Sequence, residues 1–270
     1  MHDNESFDRA SHQPGGLRAF LAELREDWSA LWSRPDDRVA TQVLVASLIL
    51  LLGYALWGRP NFINANLPRV ASWIGWGADH EYYSTLPYLY WGVSSVLIRI
   101  LLPILVIILW IGKRPADFGY RLRGVTPHAW LYVLMFAVMV PIIVAASFMP
   151  AFQAKYPMYN NAVLGWTHFG LWEIAYGIQF FGVEGFFRGF MTFGLYPRFG
   201  YLSIFIMVIP YAMVHIGKPP LEVFMAVPAG LLLGYLALKS RSWVFGALLH
   251  WAVGITMDSL AIWHAGGFRS

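Results

Sequence analysis

Apolar residues in this chain fall in long, nearly unbroken runs, at about 39–57, 88–112, 128–149, 166–194, 199–216, 220–238 and 242–263. About 20 helical residues cross the hydrocarbon core of a bilayer, so each run is long enough, or nearly so, to be a membrane span. A single run would fit a buried core helix equally well. Several in succession, separated by short basic or Pro/Gly-rich breaks, predict a polytopic membrane protein. The fourth run is long and reads either as two shorter helices or as one that tilts. The expected fold class is all-α: a bundle of about seven to eight transmembrane helices with an amphipathic helix at the N-terminal end.

That first helix is read from Phe20, Leu21, Leu24, Trp28 and Leu31, which recur at helical spacing with Arg18, Glu23, Arg25, Glu26 and Asp27 between them. Such a helix either lies on the membrane surface or packs on the protein's own loops. Residues 1–38 contain no apolar h-region, so no cleavable signal peptide is expected there. The chain divides into a cytoplasmic extension, 1–38, and a transmembrane domain, 39–270. After the first run comes an aromatic connection with Trp73, Trp76, Tyr82, Tyr83, Tyr88 and Tyr90, which suits the membrane interface.

Composition sharpens the picture in three ways. Hydrophobic residues make up 58% of the chain and charged ones 13%, about half the charged share of a soluble domain. There is no cysteine, which removes disulfides, thiolate metal sites and cysteine nucleophiles together. The excess of 19 Lys and Arg over 15 Asp and Glu is small and calls for no nucleic-acid partner. Its placement is informative. With the N-terminus inside, the cytoplasmic side collects Arg9, Arg18, Arg25, Arg34, Arg38, Lys113, Arg114, Arg121, Arg123, Arg198, Lys239 and Arg241. The opposite side holds Arg59, Arg69, Lys155, Lys218 and Arg269. This bias predicts an N-terminus in the cytoplasm and, for seven spans, a C-terminus outside; the expected location is the plasma (inner) membrane, with membrane lipid as its surroundings.

Ionisable residues inside spans are rare and point to function. Arg99, in "SSVLIRILLP", stands alone and is expected to snorkel or to pair with a carboxylate. The others cluster later: Glu184 and Arg188 in "GVEGFFRGF", Tyr211 and His215 in "PYAMVHIGKPPLE", Glu222, His250, and Asp258. Glu184 and Arg188 are i and i+4 and can form an ion pair on one helix face. Tyr211 and His215 have the same spacing. His250 and Asp258 lie two turns apart, with Gly254 between. A lone core histidine is usually a packing residue, but this many ionisable groups on three consecutive spans predict a pocket. A carboxylate and an imidazole there can activate water, and a second imidazole can donate to the oxyanion formed on an attacked carbonyl. The outline is peptide or ester hydrolysis.

Other protease designs are missing from the sequence. There is no H-E-x-x-H and no G-x-S-x-G, and Ser203 sits in "YLSIF" without a nucleophile turn. Asp258 has no second membrane-depth aspartate for an aspartyl dyad. A zinc site from Glu184, His215 and His250 is chemically possible, yet three ligands on three helices have no spacing to test. No cofactor is expected.

At "VEGFFRG", "YAMVH" and "HWAVG" the chain resembles the CAAX protease and bacteriocin-processing family of intramembrane endopeptidases, which includes the type II CAAX prenyl endopeptidases. That family's pattern is E-E-x-x-x-R, then F-x-x-x-H, then H-x-x-x-N or H-x-x-x-D. The stretch "GLLLGYLALKSRSWVFGALLH" adds a glycine-rich helix, a short basic turn and a helix leading to the last histidine. The resemblance covers about residues 166–258. It implies that Glu184 stands at the second glutamate and Arg188 at the arginine. By the same resemblance His215 helps to activate water and His250 belongs to the oxyanion site, with a membrane-associated peptide or protein as substrate. Two positions depart from it. Val183 occupies the place of the first glutamate, and Gly254 that of the last Asn/Asp. Glu222, beyond "GKPP", and Asp258, one turn past Gly254, are the available substitutes. The primary expectation is an active endopeptidase using Glu184 or Glu222 with His215, and His250 with Asp258. The alternatives are an inactive relative that binds a membrane partner, and a small transporter.

Overall fold

The computed structural model describes residues 17–122 and 126–269. Arg9 and Arg123 of the charge count, and positions 1–16 of the N-terminal extension, lie outside the described residues. The chain is an all-α, polytopic membrane protein. Helix α1 (Leu17–Ala30) has no buried residue, and Phe20, Leu21, Leu24 and Trp28 are all exposed. Its apolar face therefore does not pack on the protein's own described loops. Helix α2 (Pro35–Trp57) starts on a proline with Asp36 and Asp37 in its first turn, where a missing N–H is harmless and negative charge meets the helix dipole favourably.

Helix α3 (Tyr83–Ile111) and helix α4 (Ala129–Ser147) follow. Helix α5 runs continuously over 166–199: an α-helical part, Trp166–Glu184, π-helical turns at Gly185–Phe193, and a final α-helical turn, Gly194–Phe199. The fourth apolar run is thus one helix whose turns widen in the middle. The bundle closes with α6 (Leu202–Met213), α7 (Pro220–Ser240) and α8 (Val244–His264). Five of these, α2, α3, α4, α7 and α8, are long and apolar enough to cross a membrane; α6 is shorter.

Helix α5 is the axis of the bundle. It packs on α3 and α8 through its first half, and on α2, α6 and α7 through its π-helical and final turns. Around those later turns Phe186, Phe187, Phe190 and Leu195 are completely buried with Val43, Ile107 and Met207. The outer faces carry the opposite pattern from a soluble protein. Leu48 and Ile49 on α2, Leu109 on α3, Val133 on α4, Ile209 on α6 and Phe224 on α7 are all exposed. Lipid tails are as apolar as these side chains, so the polar groups turn inward and the apolar ones outward.

Candidate active site

Four elements place the ionisable residues. Glu184 ends the regular part of α5, and Arg188 follows in its π-helical turns. Both are completely buried. Arg188 Nη1 lies 3.0 Å from Glu184 Oε1, though no guanidinium nitrogen has hydrogen-bond alignment to an acceptor. The contact is a charge pair, and its other face is aromatic: the Arg188 guanidinium sits 3.8 Å above the Tyr211 ring. The π-helical turns themselves are secured by Thr192 Oγ1, which donates to the carbonyl of Phe187 at 2.9 Å. Tyr120 adds a donor from outside, its hydroxyl reaching the carbonyl of Gly185 at 2.9 Å. Widened turns of this kind leave backbone carbonyls in need of partners and recur at functional sites.

Across the helix interface, His250 Nδ1 on α8 is 3.0 Å from Glu184 Oε1. A carboxylate only accepts, so Nδ1 carries the proton and Nε2 is left as the free nitrogen. Gly246, one turn before His250, leaves room for this arrangement; a Cβ there would stand 3.1 Å from Glu184 Oε2. The imidazole of His250 stacks on Phe180 of α5 with ring centroids 4.2 Å apart.

His215 lies just beyond α6, in the turn before α7. Its Nδ1 is 3.0 Å from the carbonyl of Tyr211, so here too Nδ1 donates and Nε2 is free. Its ring packs edge-on against Tyr211, centroids 4.7 Å apart. Two prolines then start α7, and Glu222 falls in its first turn, where the helix dipole favours an acid. Glu222 accepts a short hydrogen bond from the Tyr156 hydroxyl and lies 3.3 Å from Lys218 Nζ. Lys218 in turn donates to Tyr156 Oη at 2.9 Å. Burial above all, with nearby acidic groups, holds the Tyr156 phenol far above its usual range, so it stays a donor to Glu222.

His215, Glu222 and His250 line one cavity of about 400 Å³, together with Lys218, Tyr211, Phe180 and Val183. Glu184 and Arg188 are not on its surface; they stand behind it, Glu184 touching His250 and Arg188 touching Tyr211. Asp258 is also away from it. Its Oδ2 accepts from the Trp172 indole at 2.6 Å, so the structure gives Asp258 to Trp172 and not to His250. Beside it lies Glu173 of α5, a buried carboxyl inside the fourth apolar run. Among the described residues Arg99 pairs with no carboxylate, and its burial leaves no room for snorkelling. It is 3% exposed and lies 3.5 Å over the Tyr54 ring.

The two departures from the family pattern have distinct surroundings. Val183 puts an aliphatic side chain in the cavity wall where a carboxylate would otherwise stand. At Gly254 an added Cβ would meet Phe180 Cε2 at 2.8 Å and Tyr176 Cε1 at 3.2 Å. The ring that stacks on His250 thus fills the space that an Asn or Asp would need. Gly254→Asn is expected to destabilise the protein by about 1–3 kcal/mol through overpacking. Thermal unfolding in detergent measures it, and adding Phe180→Ala is expected to recover part of the loss.

Among the described residues no three His, Asp or Glu groups come together as a ligand set.

Comparison with known proteins gives one finding. No curated protein and no solved structure matches the chain. Residues 165–256 match the family model described as type II CAAX prenyl endopeptidase Rce1-like. The stretch carrying Glu184, Arg188, His215, Glu222 and His250, about a third of the chain, is therefore similar to the Rce1-like type II CAAX prenyl endopeptidases.

Proposed function

We propose that this protein is an intramembrane endopeptidase that hydrolyses a peptide bond of a membrane-associated substrate. The observation that carries the reading is the pair of imidazoles lining one cavity, each with Nδ1 tied back and Nε2 left free, together with the carboxylate of Glu222. In this reading the water is held between Glu222 and His215 Nε2. Its proton passes to that pair as its oxygen attacks the carbonyl carbon, and the same proton later goes to the leaving amine. His250, protonated, donates Nε2–H to the oxyanion while Glu184 behind it supplies the counter-charge. This is the positioning and charge-balancing part that a carboxylate plays toward histidine in hydrolytic triads. Glu184 is then a positioning residue, and the carboxylate that meets the water is Glu222. The bias of basic residues among the loops supports an N-terminus in the cytoplasm, and in this reading the protein sits in the plasma (inner) membrane.

A second reading is favoured by Val183 and Gly254. With valine in the cavity wall and Phe180 filling the space beside His250, the chain is an inactive relative that binds a membrane partner. Purified protein in detergent, offered quenched fluorescent peptides with and without a prenyl group, separates the two. The endopeptidase reading expects cleavage by the wild type and a loss of about 10²-fold or more in Glu222→Gln. Cleavage unchanged in both Glu222→Gln and Glu184→Gln rejects the carboxylate assignment. A folded wild type that cleaves neither peptide favours the binding protein.

A further inference from the structure

Among the described residues, two arginines are fully buried, Arg188 and Arg99. Arg188 has Glu184. Arg99 has no carboxylate: its Nε and Nη1 find no acceptor, and its one close neighbour of note is the face of Tyr54 at 3.5 Å. A guanidinium buried without a counter-charge is expensive in any protein interior, more so at membrane depth. A stacked aromatic face returns only a small part of that. Arg99 nevertheless lines the cavity that holds His215, His250 and Glu222. One further donor in the lining lacks a partner, the Tyr54 hydroxyl. Arg59 lines it as well, and the one acidic residue of the lining, Glu222, is bound to Tyr156 and Lys218 on the α7 side.

We infer that Arg99 is an anion-binding residue, completed by a carboxylate of the peptide that enters the cavity. A guanidinium and a phenol offer donors to one oxyanion, and the guanidinium–carboxylate contact is among the strongest hydrogen-bonded pairs available to proteins. Depth decides between a peptide and a lipid. Arg99 follows Tyr83 by 16 residues and precedes Ile111 by 12 in α3, so it lies near the middle of that helix. Lipid phosphates ride at the membrane surface, about 15 Å from the bilayer centre. A carboxylate carried inward on an extended peptide reaches Arg99; a headgroup phosphate does not. The word peptide rests on the endopeptidase reading, whereas the need for an anion rests on Arg99 alone.

The test is a binding measurement that needs no turnover. The probe is a dansylated apolar tripeptide with N-methylated amide bonds, which resists hydrolysis, supplied as the free acid and as the C-terminal amide. Wild-type protein in phosphatidylcholine nanodiscs is expected to bind the acid at least about tenfold more tightly than the amide. Arg99→Gln removes that preference, and Arg99→Lys keeps part of it. Equal binding of acid and amide by the wild type overturns the inference, whether or not any variant folds. So does a preference that survives in a folded Arg99→Gln protein. Nanodiscs containing phosphatidylglycerol that displace the acid from wild type but not from Arg99→Gln assign the residue to lipid phosphate, and overturn it too. Reporter cleavage with no acid preference would remove this inference and leave the proposed function standing. Arg99-dependent acid binding without cleavage would do the reverse.

Discussion

The His215→Ala protein is expected to fold as the parent does and to lose peptide cleavage by about 10²–10⁴-fold. His215 sits in a turn rather than inside a helix, and its visible ties are one hydrogen bond to the Tyr211 carbonyl and an edge-on contact with that ring. Removing them leaves no buried charge unpaired, so the stability change should stay near 1 kcal/mol. The chemical loss is far larger, because His215 is, among the described residues, one of two histidines that line the cavity. Single-turnover cleavage and thermal unfolding measured on the same preparation give both numbers. An inactive relative behaves differently: His215→Ala would then leave the protein's cellular role nearly unchanged.

Part of this arrangement was legible in the sequence. The i, i+4 spacing of Glu184 and Arg188 predicts their ion pair, and the pair is there. The prolines before Glu222 predict a break after His215, and the structure uses them to start α7 and to hold Glu222 at its first turn. What spacing within a helix does not contain is which helix faces which. Glu184 meets His250 from 66 residues away, and Asp258 meets Trp172 from 86 residues away. Along α8, Asp258 and His250 share a direction, yet two turns of helix separate them by about 12 Å. A nearer indole takes the carboxylate first. Arg99 shows the same limit, since neither of the fates expected for it includes an aromatic ring from α2. Glu173 is a different kind of miss. The rule that flags charge at membrane depth applies to "FGLWEIAYG" as well as to "GVEGFFRGF", and the residue was visible to it.

Breaking the Glu184–Arg188 pair is expected to have the largest effect on folding. Both side chains are fully buried, so Glu184→Gln strands a guanidinium that keeps only the Tyr211 face, 3.8 Å away. Arg188→Met leaves the Glu184 carboxylate with His250 alone, its Oε2 already lacking a partner. Each single change should cost about 3–5 kcal/mol, the usual penalty for a buried charge deprived of its partner. The double variant Glu184→Gln/Arg188→Met removes both charges and should cost less than the sum of the two, which chemical unfolding in detergent can measure. Activity separates the partners further. With Glu184→Gln the amide oxygen still accepts from His250 Nδ1, but the counter-charge for the imidazolium is gone, so cleavage should fall even at temperatures where the variant remains folded. With Arg188→Met the carboxylate stays on His250, and the folded fraction should retain more of its activity. If the two variants instead lose activity only in proportion to their loss of folded protein, Glu184 is a structural ion-pair partner and His250 draws nothing from it.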